Sequence, residues 1–136
     1  MKKLVIALAG LMIIFSSLAS AQEDYVFRNN VRPEYNNNIS QDDFSALQSK
    51  GDFALIDVRL SEDFALDLIL IPGAEYKDPE NISKWALEIP KDQKVILYCV
   101  KGAWVSHKAA TYLSEQGYDV TTLDGGIRDW KLKNNK

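Results

Sequence analysis

The chain has 136 residues, of which 46% are hydrophobic and 26% charged, with a formal net charge of −3 at pH 7. That length suits one domain with a single core, and the mild acidity argues against a nucleic-acid groove or a patch for anionic membranes. One cysteine and one histidine leave no disulfide framework and no cluster with metal-ligand spacing, so neither a metal nor another cofactor is expected.

In chain order, Lys2 and Lys3 form a basic start, Leu4 to Leu18 run apolar, and Ala19-Ser20-Ala21 has the small-residue pattern of a signal-peptidase site. The run is shorter than the roughly 20 residues of a spanning helix, so residues 1–21 are expected to be a cleaved signal peptide. The destination is periplasmic or secreted, with no stable membrane association after cleavage. Residues 22–38 read as a polar, Asn-rich leader in which Pro33 breaks any helix, with a short strand near Tyr35 to Ile39. Ser40 is placed to cap a helix with Asp43 at its third position, and Ile39 and Phe44 can staple that cap. The helix should stop near Ser49, before Gly51.

Phe53 to Val58 is a short apolar run of the kind a doubly covered strand shows. Ser61 opens a short helix, Ala74 to Tyr76 a brief strand, and Asp78-Pro79-Glu80 a helix that Pro90 ends. Lys94 to Tyr98 is the clearest central strand, with Cys99 directly after it. A helix resumes at Val105 and closes at Gly117; Tyr118 to Leu123 is the last strand, and a final helix runs from Ile127 to about Leu132. Strands alternating with helices predict an α/β domain over residues 39–132, a mostly parallel sheet flanked by helices on both faces, followed by a tail at 133–136.

A lone cysteine in an exported chain is a bridge to another molecule, a free reactive thiol, or a small buried hydrophobe. Position favours the reactive thiol. Ligands bind outside the carboxyl ends of parallel strands, and the segment Val100, Lys101, Gly102, Ala103, Trp104 and Val105 is short enough to curl around the sulfur. Gly102 permits the angles of a tight turn, while successive amides and a helix start make an anion-binding cradle. Such a cradle favours a thiolate, a persulfide anion, and an oxyanionic donor under attack. Lys101 is either a solvated loop cation or one facing the substrate, and Trp104 either packs the loop down or walls the pocket. His107 is expected at the surface, and Trp85 and Trp130 in the core.

These residues resemble the rhodanese-like domain family from Ile39 to Trp130. The matching pieces are Ile39-Ser40, Asp57-Val58-Arg59, Glu62 and Phe64, Ile71-Pro72-Gly73-Ala74, Tyr98-Cys99-Val100-Lys101-Gly102, and Gly125-Gly126-Ile127 with Trp130. The resemblance implies a five-stranded parallel sheet between helices and a sulfurtransferase in which Cys99 is catalytic and carries a persulfide. It also implies that the amides of Val100 to Val105 bind the substrate, and that Asp57 and Arg59 are a supporting pair. The implied partners are a small sulfane-sulfur donor such as thiosulfate or a persulfide, a thiol or cyanide acceptor, and a possible protein-borne sulfur acceptor. The chain departs from the pattern at Ala103, Trp104 and Val105, where family loops often carry an arginine or another polar residue. It departs again at Leu70, where a histidine is often found. The pocket mouth is therefore expected to be apolar.

Two alternatives use the same scaffold. One is a rhodanese-like binding or sulfur-delivery module without turnover. The other is a cysteine phosphatase or arsenate reductase, which needs a longer loop ending in arginine. The next arginine after Cys99 is Arg128.

Overall fold

The computed structural model describes residues 25–136; the expected signal segment and its cleavage point lie outside the described residues. The strands are β1 (Asn38–Ile39), β2 (Ala54–Asp57), β3 (Ala74–Tyr76), β4 (Lys94–Tyr98) and β5 (Asp119–Leu123). They form one five-stranded sheet in the order β1-β5-β4-β2-β3, and every neighbouring pair is parallel. β4 therefore lies between β2 and β5 at the centre, with Asp57 opposite Tyr98 in the ladder.

The helices are α1 (Gln41–Gln48), α2 (Ser61–Leu66), α3 (Ile82–Trp85), α4 (Trp104–Glu115) and α5 (Gly126–Asn134). Ser40 caps α1 as its sequence position predicts, its Oγ accepting from Asp43 N at 3.1 Å, a contact worth about 1 kcal/mol. The two-residue alternation of the strands divides the core between the two faces of the sheet. Leu55, Ile96, Tyr98 and Leu123 meet Phe44, Ile127 and Trp130 on one face. Ile56, Val95, Leu97 and Val120 meet Ile82, Trp85, Ala109 and Leu113 on the other. Trp85 and Trp130 are both buried.

Four details differ from the reading of the sequence. The helix expected to run from Asp78 to Pro90 is broken into α3 and two flanking 3-10 turns, Pro79–Asn81 and Ala86–Glu88. Trp85 Nε1 donates to Asp78 O at 2.7 Å across the break, which ties the turns together. The first strand is shorter than expected, because the residues before it turn their side chains to β5: Tyr35 Oη and Asn37 Nδ2 both donate to Val120 O, at 2.6 and 2.8 Å. α4 begins at Trp104, a residue earlier than predicted, and α5 continues past Leu132 to Asn134.

The largest difference is the leader. Phe27 is 2% exposed and belongs to the core. Tyr25 packs on Tyr112 of α4 with ring centroids 4.4 Å apart. Lys108, also of α4 and buried, donates to Asn29 Oδ1 and to Val31 O. Burial, and after it the charge of Arg32, pushes the Lys108 ammonium below its ordinary range. The leader thus lies as a strap along the α4 face of the sheet.

Candidate active site

The ladder ends at Tyr98, and the chain must then turn from the sheet centre into α4. Cys99 occupies that corner, with the residue 4% exposed. Its sulfur meets the hydroxyl of Ser106, Sγ to Oγ 3.3 Å, and Ser106 Oγ in turn donates to Ala103 O at 3.4 Å. Ser106 is fully buried on the first turn of α4. Its hydroxyl can accept from a thiol or rotate to donate to a thiolate. Sequence reasoning missed this residue; its position in the first turn of the helix that follows Cys99 was the available signal.

The turn itself is held from below by main chain. Gly102 adopts φ +68°, and a Cβ there would lie 2.7 Å from both Leu123 O and Gly125 N. Cys99 O accepts from Ile127 N at 2.9 Å, and Val100 O accepts from Arg128 N at 3.0 Å. With its carbonyls pulled toward α5, the loop keeps its donors free. Among the described residues, the amides of Val100, Lys101, Gly102 and Ala103 donate to no protein acceptor, and Ala103, the N-cap of α4, supplies no capping side chain. Unpaired amides in a tight turn at a helix N-terminus form a site for an anion.

A pocket of about 380 Å³ opens over this corner. Cys99, Val100, Lys101, Ala103, Trp104 and Val105 line it from the loop side. Leu60 and Asp63 line it from the segment that enters α2, a contribution the sequence reading did not foresee. Gly102 does not line the pocket; its part is to make the turn fit against the β5–α5 connection. Lys101 is exposed and stands at the pocket. Trp104 combines both roles considered for it. It lines the pocket and also packs on the strap, with Phe27 stacked at a centroid distance of 6.0 Å and the Arg32 guanidinium 3.8 Å from its ring centre. His107 is half-buried rather than at the surface: Tyr35 N points to its Nδ1 at 3.5 Å, because the leader returns across it.

Asp57 and Arg59 are both buried and form a forked ion pair, with Arg59 Nε 2.9 Å and Nη2 2.7 Å from Asp57 Oδ2. The remaining guanidinium donors reach Asp67 O at 2.8 Å and Ile69 O at 2.9 Å, so the pair pins the segment after α2. Tyr98 Oη accepts from Ile71 N at 3.1 Å, and burial pushes this phenol well above its ordinary range, holding it neutral. These groups order the C-terminal end of the sheet without lining the pocket over Cys99. Arg128, the next arginine after the cysteine, lines a separate groove on the other side of Val100 and pairs with its neighbour Asp129, Nε to Oδ1 3.0 Å. It stands outside the pocket that a phosphoryl group would enter. No group of three or more His, Cys, Asp or Glu side chains among the described residues could hold a metal ion.

The rhodanese-like domain model matches residues 40–133. A sulfurtransferase of Allochromatium vinosum is 40% identical over 80 residues, which are 58% of this chain and 72% of that protein. A thiosulfate sulfurtransferase GlpE of Pseudomonas fluorescens is 32% identical over 94 residues, 68% of this chain and 83% of that protein. Among solved structures, a rhodanese-like domain protein from Staphylococcus aureus superposes with a TM-score of 0.62 at 24% identity, covering 70% of this chain and 91% of that one. A rhodanese-related protein from Thermoplasma volcanium gives 0.62 at 19% identity, covering 72% and 93%.

Proposed function

The chain belongs to the rhodanese-like domain family, and from that premise we propose that it is a sulfurtransferase carrying sulfane sulfur as a persulfide on Cys99. The Cys99 thiolate attacks the outer sulfur of a donor such as thiosulfate. A bond forms between the two sulfurs, the donor's S–S bond breaks, and its electron pair leaves with sulfite. The terminal sulfur of the persulfide then passes to a thiol or to cyanide, a small molecule or a protein, and the thiolate returns. No proton need be taken from the donor, so the site requires no general base.

The observation that carries this reading is the free amide turn beside a pocket-lining sulfur. Among the described residues, the donors of Val100 to Ala103 have no protein acceptor, and preorganised amides stabilise a thiolate, a persulfide anion and a leaving sulfite alike. Ser106 adds a hydroxyl to the same sulfur, and Lys101 a cation at the pocket for an anionic donor. Asp57 and Arg59 support the frame.

Intact-mass measurement after incubation with thiosulfate tests it. A gain of one sulfur atom, removed by cyanide and absent in Cys99→Ser, is the expected result. No adduct with thiosulfate, polysulfide or an organic persulfide rejects it. A second reading, a sulfur-delivery module that loads without turning over, draws on the 4% exposure of Cys99, which limits how an acceptor approaches. Multiple-turnover kinetics separate the two. The same proposal includes export by residues 1–21 with cleavage after Ala21; a mature N-terminus at Gln22 in the periplasmic fraction or culture medium supports it, and retention of Met1 rejects it.

A further inference from the structure

The strap of residues 25–37 lies outside the residues 40–133 that the family model matches, yet it touches one wall of the Cys99 pocket and the helix that carries a residue of the other. On one wall, Phe27 and Arg32 hold Trp104. Toward the other, Arg28 pairs with Glu62, next to the pocket residue Asp63, and also with Glu80. A third anchor is buried Lys108, whose ammonium takes Asn29 Oδ1 and Val31 O. A solvated leader would need none of these contacts.

The wall residue that the strap fixes, Trp104, belongs to an apolar stretch. With Leu60, Ala103 and Val105, and with Asp63 and Lys101 as the charged residues of the lining, it faces a volume of about 380 Å³, which falls in the range of roughly 300–1,000 Å³ that accommodates organic ligands. A thiosulfate ion is far smaller, and its charged sulfonate end gains nothing from an indole. Resting on the reading that Cys99 takes up sulfane sulfur, we propose that the strap is a specificity element. By locking Trp104 as a pocket wall, it selects donors whose terminal sulfur is carried on an apolar organic body over inorganic thiosulfate. The chemical step is unchanged: Cys99 Sγ bonds the terminal sulfur, the donor's S–S bond breaks, and its electron pair departs with the organic fragment, a sulfinate when the donor is a thiosulfonate. Arg32 is a positioning residue in this scheme, acting on the donor through Trp104.

Two thiosulfonates of equal charge and the same leaving-group type isolate the organic body. Loading of Cys99 in the full chain is followed by quench and intact mass with benzenethiosulfonate and with methanethiosulfonate, each normalised to its reaction with a free thiol. The wild-type chain should prefer the benzene donor, mainly through KM. Arg32→Gln should cut that preference about two- to fivefold, the loss expected for an exposed cation–π contact. Arg32→Lys, which keeps a cation over the ring, should retain most of it, and Trp104→Ala should abolish it. Arg32 is exposed, so its variants report on the pocket even if changes at buried Phe27 disrupt folding. Calorimetry of benzenesulfonate with Cys99→Ser, and with Cys99→Ser/Arg32→Gln, reads the same wall without chemistry. Loading with no preference for the benzene donor, or with a preference that Arg32→Gln leaves intact, overturns the strap inference alone. Benzenesulfonate binding that weakens in the double variant, with no loading from any donor, overturns the sulfur-transfer reading while the strap-built wall stands. Neither binding nor loading overturns both.

Discussion

The Cys99 loop is gripped on two sides, and the grips differ in kind. On the side of α5, main chain meets main chain: Ile127 N and Arg128 N hold the carbonyls of Cys99 and Val100, and Gly102 and Gly126 let the backbones touch. On the side of the strap, side chains do the holding, through Phe27 and Arg32 on Trp104. The first grip uses residues within the family match and sets the amide turn on which the proposed chemistry rests. The second uses a segment before that match and shapes what lies over the sulfur. Backbone contacts are indifferent to most side-chain changes, whereas a wall built from side chains can be altered without moving the cradle. The molecule thus separates its reactive geometry from its pocket surface.

Substitutions on the two sides should therefore fail in different ways. The largest loss is expected at the frame beneath both. Arg59→Met leaves Asp57 charged and unpaired where it is fully buried, which should cost about 3–5 kcal/mol in urea unfolding. Next comes the backbone grip. In Gly126→Ala a Cβ would lie within 2.7 Å of Cys99 O, Val100 O and Gly102 N, so the amide turn must shift. A displacement of about 1 Å can cost on the order of a hundredfold in rate, seen as slower loading with every donor alike. Ser106→Ala, which removes a single hydroxyl from the sulfur, should slow loading about tenfold, the equivalent of roughly 1–1.5 kcal/mol, again for all donors. A donor-dependent loss in either variant would blur the division between cradle and wall.

The smallest effect is a pH dependence confined to the strap. Pairing with Arg28 holds the Glu62 carboxyl below its ordinary range. A carboxylate lowered in the folded state adds stability that is present above its unfolded value and lost as pH falls through its folded value. Acidification through and below the ordinary carboxylate range should loosen the strap before the sheet. Hydrogen exchange at residues 27–32 should accelerate in acid relative to β4, and Glu62→Gln should remove that difference. Equal acceleration in β4 would mean the strap has no separate stability.

Much of the frame was legible before any coordinates. Lys94 to Tyr98 and Ala74 to Tyr76 are strands with the expected bounds, because short apolar runs between turn residues have few other outcomes in a chain of this size. The Ser40 cap could be read because its partner is three residues away. The cysteine at the end of the central strand was legible for the same reason, as strand, turn and helix are neighbours in sequence. Residues 78–89 were misread as one helix, since a proline at each end and a side-chain tether from Trp85 decide where the turns break.

The sequence by itself determined the alternation of strands and helices, the place of Cys99 directly after the central strand and the glycine that permits the turn behind it, since each is a pattern of neighbouring residues. Tertiary structure alone decided that Ser106 meets the sulfur, that Leu60 and Asp63 complete the pocket, and that Phe27, Arg32 and Lys108 bind the leader to α4. A polar, Asn-rich segment carries no periodicity to announce its partners. Its fate rests on an indole and a buried ammonium, Trp104 and Lys108, more than seventy residues from the Phe27 and Asn29 they meet, and contacts at that range follow from how the chain packs.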